Sequence, residues 1–204
     1  MRAFLFKHSA NTVTFAGMVA AVWTNVLVWD YQNQGTVFLL AAIAALTDLI
    51  DGWLARKWRI ESPVGISLDR WRDKLFVCPL FVFFIRDIRL ETALGWKESL
   101  VFSFIKSVLV VILIFEAGLI ASWFVGFTKK WNVKSHRAGK IKQGFYVATI
   151  FSWLIMMFLE KEFHWQAGMI TFLYLSFLLL LAARYAFASL AGYLERFYLA
   201  SQKN

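Results

Sequence analysis

The sequence predicts an all-α integral membrane protein with six transmembrane helices. Of its 204 residues, 60% are hydrophobic and 18% are aromatic, and the mean hydropathy is +0.59, well above that of an ordinary soluble domain. Only two residues are proline and 17% are charged, a composition that favours long helices. Apolar stretches recur along the chain, and each reaches or approaches the roughly 20 residues needed to cross the hydrocarbon core. Six such stretches use most of the chain, so we expect a single membrane domain over residues 1–204.

The first element is predicted to lie on the membrane and the next to cross it. Residues 1–10 carry Arg2, Lys7 and His8 around an apolar centre, which suits a short interfacial helix. The first span is predicted at 11–29, because this apolar run is long for a signal peptide and no small-residue cleavage site follows it. The remaining five spans are predicted at 35–58, 67–85, 100–127, 144–159 and 167–193.

Basic residues predict the orientation of these spans. If the N-terminus is cytoplasmic, the second–third and fourth–fifth connections face the cytoplasm. These connections and their flanks carry Arg56, Lys57, Arg59, Arg70, Arg72 and Lys74, then Lys129, Lys130, Lys134, Arg137, Lys140 and Lys142. The opposite side mixes basic and acidic residues, so the positive-inside rule predicts that both termini are cytoplasmic. The net charge of +9 then indicates contact with anionic lipids rather than with nucleic acid.

Four carboxylates stand out in the second and third spans. Asp48 and Asp51 are spaced i, i+3, and Asp69 and Asp73 are spaced i, i+4. On helices both spacings place the two acids on one face, one turn apart. Two such pairs on facing helices would form a cage of oxygen ligands for hard divalent cations. Acids at the mouth of a membrane bundle are costly and usually functional, so we take this cage as the candidate active site.

The residues around these acids complete a family signature. The sequence reads Asp-x2-Asp-Gly-x2-Ala-Arg-x8-Gly-x3-Asp-x3-Asp, and this pattern resembles the motif of the CDP-alcohol phosphatidyltransferases at every fixed position. The matching residues are Asp48, Asp51, Gly52, Ala55, Arg56, Gly65, Asp69 and Asp73. The core of that family is six membrane helices with the motif on the second and third, so the resemblance covers nearly the whole chain.

The resemblance implies a reaction and a set of roles. Enzymes of this kind displace CMP from a CDP-linked lipid by attack of an alcohol on the lipid-side phosphorus. By matching positions, Asp48, Asp51 and Asp69 resemble ligands of one or two divalent cations, Mg²⁺ or Mn²⁺, and Asp73 resembles the general base and a further metal contact. Gly52, Ala55, Arg56 and Gly65 resemble the pocket for the CDP moiety. The residues alone leave open whether Asp69 or Asp73 is the base. Family members are commonly homodimers, which we carry over as an expectation.

A basic segment at 134–143 bears on the acceptor alcohol. Its Gly-Lys-x-Lys core resembles the phosphatidylglycerophosphate synthase branch, in which such residues are suited to hold the phosphate of glycerol 3-phosphate. Lys140 and Lys142 are therefore candidate phosphate contacts, with Arg137 and Arg184 as further candidates. A positive-inside loop and, for Arg184, an arginine reaching the interface are the alternatives.

Other positions agree with that branch only in part. Ser189 and Tyr193 resemble it, and Glu116 matches an acid in its fourth helix. However, Phe115 stands where the branch has an arginine. This departure leaves the acceptor open.

We therefore predict transfer of a phosphatidyl group from CDP-diacylglycerol to glycerol 3-phosphate, with the active site facing the cytoplasm of a bacterial inner membrane. Inositol phosphate, phosphatidylglycerol (as in a cardiolipin synthase) and amino-alcohols are alternative acceptors. A cation transporter is a more distant alternative, because it would place its acids near the bilayer centre rather than at the inner face.

Overall fold

The computed structural model describes residues 2–29, 33–58, 63–88, 96–129, 137–164 and 167–202. Within these ranges, the description of side chains excludes residues 2–11, 13, 48, 49, 51–58, 63–70, 96–98, 127, 137, 200 and 201.

The described residues form six α-helices and no strand. The helices are α1 (Arg2–Val28), α2 (Gln34–Trp58), α3 (Pro63–Asp87), α4 (Trp96–Thr128), α5 (Arg137–Phe163) and α6 (Met169–Ser201). The prediction of an all-α protein is therefore confirmed for this part of the chain.

The helix boundaries differ from the predicted ones where the flanks are polar. The predicted interfacial helix at 1–10 is not a separate element, because α1 continues unbroken from Arg2 to Val28. Its first half contains no glycine or proline that would interrupt it. Likewise α5 begins at Arg137, seven residues before the predicted start, and α6 ends at Ser201 rather than at 193. Hydropathy locates the apolar part of a helix, whereas the backbone hydrogen bonds continue through polar residues at its ends.

Three helical stretches are long and apolar enough to cross a membrane. They are Ser99–Gly126 in α4, Ala138–Phe163 in α5 and Met169–Leu199 in α6. Two shorter apolar stretches, Thr14–Val28 and Gln34–Thr47, lie in α1 and α2. These helices support an integral membrane protein, while six spans and cytoplasmic termini remain predictions.

The chain divides into two compact units. The first comprises Met1–Phe83 with Trp153–Gln166, and the second comprises Phe84–Ser152 with Ala167–Asn204. In the first unit α1 packs against α2. Their buried residues are mostly small, namely Gly17, Ala20 and Ala21 on α1 and Ala41 and Ala44 on α2. Small residues let helix backbones approach closely, which is the usual means of association in a membrane.

A side chain of α1 compensates for a proline inside α3. Pro79 has no N–H, so the carbonyl of Leu75, four residues earlier, loses its helical partner. The amide Nδ2 of Asn25 donates to that carbonyl at 2.7 Å and also to the carbonyl of Ala21 at 2.9 Å. Near the same end of α1, the rings of Trp29 and Phe83 meet edge to face with centroids 5.3 Å apart. These contacts fix α1 beside α3.

Aromatic contacts join α4 to α6 in the second unit. Phe102 and Phe172 form a T-shaped pair with ring centroids 4.6 Å apart, and Phe115 and Phe187 form a tilted pair at 5.8 Å. Such pairs add stability beyond the area that they bury. In the same unit α5 contacts α6 through the stacked rings of Phe145 and Tyr185, whose centroids lie 5.6 Å apart.

Candidate active site

The four motif carboxylates belong to two helices of the first unit. Asp48 and Asp51 lie within α2, and Asp69 and Asp73 lie within α3. The helical spacing assumed from the sequence therefore applies, and the members of each pair are one turn apart along the backbone. Asp73 is half-buried, while the side chains of Asp48, Asp51 and Asp69 lie outside the described ones. The same holds for the predicted CDP-pocket residues Gly52, Ala55, Arg56 and Gly65.

The residues preceding the first and last of these acids meet at one point of α1. A methyl group on Gly17 would lie 3.2 Å from Cβ of Thr47 and 3.4 Å from Cδ of Arg72. Thr47 directly precedes Asp48, and Arg72 directly precedes Asp73. The side chains that flank the two ends of the motif are therefore neighbours, although 25 positions separate Asp48 from Asp73 in the sequence.

Arg72 brings a buried positive charge to this point. Only 2% of its surface is exposed, and it interacts electrostatically with Asp73. A buried guanidinium requires a counter-charge or several hydrogen-bond acceptors. The motif therefore combines its carboxylates with a basic group that is held inside the first unit.

The donor set suits a hard divalent cation. Four carboxylates offer oxygen ligands, and Mg²⁺ and Mn²⁺ prefer such ligands. Among the side chains that the structure describes, no group of three or more His, Cys, Asp or Glu residues is clustered. Asp73 is the one motif carboxylate among those side chains. The assignment of a divalent cation to the motif therefore rests on the oxygen chemistry of the four carboxylates and on their spacing along the two helices.

A buried ion pair joins α4 to α5 in the second unit. Nζ of Lys142 donates to Oε1 of Glu116 at 2.5 Å, and the hydroxyl of Tyr146 donates to the same oxygen at 2.8 Å. Lys142 is 6% exposed and Glu116 is 1% exposed. The ammonium also lies 5.3 Å from the centroid of the Tyr146 ring, within the range of a cation–π interaction. Lys142, a predicted phosphate contact, is thus neutralised by a carboxylate.

The other predicted acceptor residues differ from Lys142 in exposure. Lys140, two positions earlier on α5, is exposed, as is Arg184 on α6. The guanidinium carbon of Arg184 lies 5.8 Å from the centroid of the Tyr185 ring, and that ring stacks on Phe145. The side chain of Arg137 lies outside the described ones.

Two contacts, one in each unit, could not be anticipated from the sequence. In the second unit, the sequence matches Glu116 to an acid in the fourth helix of the synthase branch, but it does not identify Lys142 as its partner, because helical periodicity relates residues within one helix and not between two helices. Gly17 was missed entirely. Its signal was the pair Gly17 and Ala21, two small residues four positions apart in an apolar helix, which is typical of close helix packing.

Comparison with known proteins identifies a family. The model of the CDP-alcohol phosphatidyltransferase family matches residues 7–182. Among curated proteins, the chain is 39% identical over 59 residues to a CDP-diacylglycerol–glycerol-3-phosphate 3-phosphatidyltransferase of Pseudomonas fluorescens, covering 29% of each chain. It is 34% identical over 90 residues to CDP-diacylglycerol–glycerol-3-phosphate 3-phosphatidyltransferase 2 of Arabidopsis thaliana, covering 41% of this chain and 37% of the relative.

A third relative carries a different name. The chain is 34% identical over 79 residues to a cardiolipin synthase (CMP-forming)/mitochondrial hydrolase fusion protein of Schizosaccharomyces pombe, covering 38% of this chain and 13% of the relative. The matched region thus spans well under half the length of each of these relatives. No solved structure matches the chain significantly.

Proposed function

The chain belongs to the CDP-alcohol phosphatidyltransferase family, and from this we propose that it transfers the phosphatidyl group of CDP-diacylglycerol to glycerol 3-phosphate. The products are phosphatidylglycerophosphate and CMP. The observation that carries the proposal is the family match over residues 7–182, which includes every fixed position of the carboxylate motif. The names of the Pseudomonas and Arabidopsis relatives support glycerol 3-phosphate as the acceptor.

We assign the chemistry to the motif. Asp48, Asp51 and Asp69 would hold one or two divalent cations, Mg²⁺ or Mn²⁺, together with Asp73. Such cations, when bound, neutralise the charge of a pyrophosphate and so permit the approach of an oxygen nucleophile. The Asp73 carboxylate accepts the proton of the attacking hydroxyl. The new bond joins the acceptor oxygen to the lipid-side phosphorus, and the bond from that phosphorus to the oxygen of CMP breaks.

The CDP moiety is assigned to the remaining motif residues. Gly52, Ala55 and Gly65 are small and would let the nucleotide approach the backbone of their helices. Arg56 adds a positive charge for the diphosphate.

Asp48 and Asp51 fall in the register of the buried α2 positions Val37, Ala41 and Ala44, since the spacings are all three or four residues.

Lys140 is our first candidate for the acceptor phosphate. A phosphorylated alcohol needs positive charges beyond those of the metal site, and the exposed Lys140 ammonium is accessible to it. Arg184 is also exposed and is a second candidate, with Arg137 as a third. Lys142 is a weaker candidate, because moving it to an acceptor phosphate would break its ion pair with Glu116, a carboxylate that is 1% exposed.

Phosphatidylglycerol is the alternative acceptor that an observation favours. The Schizosaccharomyces relative is named for a cardiolipin synthase. In addition, Phe115 packs on Phe187 at the position where an arginine is expected for the phosphatidylglycerophosphate synthase branch. With Phe115 in place of the arginine, the site has one positively charged side chain fewer, which suits an acceptor with less negative charge than glycerol 3-phosphate.

The test is CMP release by the purified protein in detergent. CDP-diacylglycerol is supplied with Mg²⁺ or Mn²⁺, and glycerol 3-phosphate, phosphatidylglycerol, inositol phosphate and amino-alcohols are added singly. A reaction without acceptor measures hydrolysis, and one without metal measures cation dependence. We expect CMP only with glycerol 3-phosphate and a divalent cation. Turnover with a different acceptor would overturn the acceptor assignment, and no CMP with any of them would overturn the proposed function.

A further inference from the structure

The close approach of α1 to the motif helices depends on the missing side chain of Gly17. A Cβ at this position would overlap the hydroxyl of Thr47 and would lie 3.2 Å from its Cβ. Contacts this short do not persist, so either Thr47 or the helix backbone would have to move. Which of the two moves depends on whether the Thr47 side chain can change its conformation.

Thr47 is held in place by its own helix. Its hydroxyl donates to the carbonyls of Ile43 and Ala44, both at 2.9 Å. Threonine is branched at Cβ, so a rotation about χ1 moves its hydroxyl and its methyl group together. Turning the hydroxyl away from a Cβ at position 17 would therefore also relocate the methyl group, and it would break both hydrogen bonds. The remaining way to relieve the overlap is a displacement of α1 relative to α2.

Arg72 limits that displacement from the side of α3. Its Cδ lies 3.4 Å from the position of the same Cβ, and the residue is 2% exposed. A buried arginine moves only with its counter-charges, and Asp73 is among the groups that interact with it. A displacement at Gly17 therefore reaches α2 next to Asp48 and α3 next to Asp73.

We infer that Gly17 is a positioning residue for the motif carboxylates: by leaving space for Thr47 and Arg72, it sets the distance between the helix segments that carry Asp48 and Asp73. The inference rests on the proposed function of those acids. Metal sites require their ligands within a few tenths of an ångström, so a shift of one helix weakens cation binding before it unfolds the protein.

The experiment compares Gly17→Ala with Gly144→Ala. Gly144 is also a glycine inside a helix, but apart from its chain neighbours and its own helix backbone, no atom of the described residues lies within 4 Å of a Cβ added there. Alanine has the higher helix propensity at both positions, so the two variants differ in the contact and not in the backbone preference. Mn²⁺ binding to the purified protein is titrated by electron paramagnetic resonance, and the melting temperature, kcat and the two KM values are measured alongside.

We expect Gly17→Ala to raise the Kd for Mn²⁺ about 10-fold and to lower kcat about 10- to 100-fold, since misplaced catalytic groups cost rate steeply. Gly144→Ala should leave both values unchanged. Adding Thr47→Ala to Gly17→Ala removes the overlapping hydroxyl and should recover several-fold of the Mn²⁺ affinity, whereas Thr47→Ala alone should change it little.

Two results would overturn the inference. The first is a Gly17→Ala variant with the Mn²⁺ affinity and kcat of the parent protein. The second is a lower melting temperature with unchanged Mn²⁺ affinity, which would indicate that Gly17 serves packing alone. If Gly17→Ala does not fold, the double variant is measured instead: recovery of the fold and of Mn²⁺ binding supports the inference, and a double variant that also fails to fold would overturn it, since the overlap with Thr47 would then not be the cause. If the parent protein binds Mn²⁺ but releases no CMP with any acceptor, the proposed function fails while the binding comparison still tests Gly17.

Discussion

Lys142 of α5 donates to Glu116 of α4 across 2.5 Å, and both residues are buried. Lys140, only two positions away, is exposed. Residues two apart on a helix point in very different directions, so two lysines that look equivalent in the sequence occupy different surroundings. This difference separates the structural role of Lys142 from the substrate-binding role that we propose for Lys140, and it leads to two predictions.

The first prediction concerns the acceptor. Lys140→Met should raise the KM for glycerol 3-phosphate at least 10-fold, because a charge-assisted contact to phosphate is lost. The KM for CDP-diacylglycerol should stay within about twofold of the parent. Lys161→Met, which removes an exposed lysine at the other end of α5, serves as the matched control. An unchanged KM for glycerol 3-phosphate in Lys140→Met would exclude Lys140 as the phosphate contact and would favour Arg184 or Arg137.

The second prediction concerns stability. Glu116→Gln removes the carboxylate that pairs with the buried Lys142 ammonium, and breaking a buried ion pair typically costs about 3–5 kcal/mol. The double variant Glu116→Leu with Lys142→Leu removes both charges and should be much closer to the parent, since an apolar pair can replace a buried ion pair. The melting temperatures of the variants in detergent are compared, with size-exclusion chromatography of heated samples as the readout. A double variant that loses as much stability as Glu116→Gln, or more, would show that the unpaired buried charge is not the source of the loss.

The third prediction concerns the motif. Asp69→Asn and Asp73→Asn keep the size of the side chain and remove its charge. We expect each to reduce CMP release by a factor of about 1,000 or more, because both metal binding and proton transfer need the carboxylate. Asp87→Asn, at the other end of α3, is the control and should retain activity. Substantial turnover in Asp73→Asn would assign the general base to another residue, Asp69 first.

The fourth prediction tests the compensation of Pro79 by Asn25. Asn25→Leu leaves the Leu75 carbonyl without its donor, which we expect to cost about 1–3 kcal/mol. In a Pro79→Ala background the restored N–H of residue 79 can bond that carbonyl, so the same change should cost less. The coupling is read from a double-mutant cycle of melting temperatures. Additive losses would mean that Asn25 stabilises the first unit through a different contact.

The all-α class followed from composition and from the apolar stretches, and the pairing of the motif carboxylates followed from helical spacing, because both depend only on residues within one helix. Contacts between helices could not be obtained in this way. Nothing in the sequence pairs Glu116 with Lys142 or Asn25 with Leu75, since these residues meet only after the helices pack. The continuity of α1 through Arg2 and Lys7 was missed for a related reason: charge predicts the boundary of the hydrocarbon and not the end of a helix.

The hydrogen bond from Asn25 has a consequence for how the protein enters its membrane. In the predicted six-span topology, α3 would arrive in the bilayer with the Leu75 carbonyl unpaired, a costly state in hydrocarbon. The group that pairs it lies on α1, which leaves the ribosome earlier. We therefore expect α1 to stay next to the insertion machinery until α3 arrives, and to enter the lipid together with it. Deleting α1 should then impair the insertion of α3, although α3 begins more than 30 residues after the end of α1.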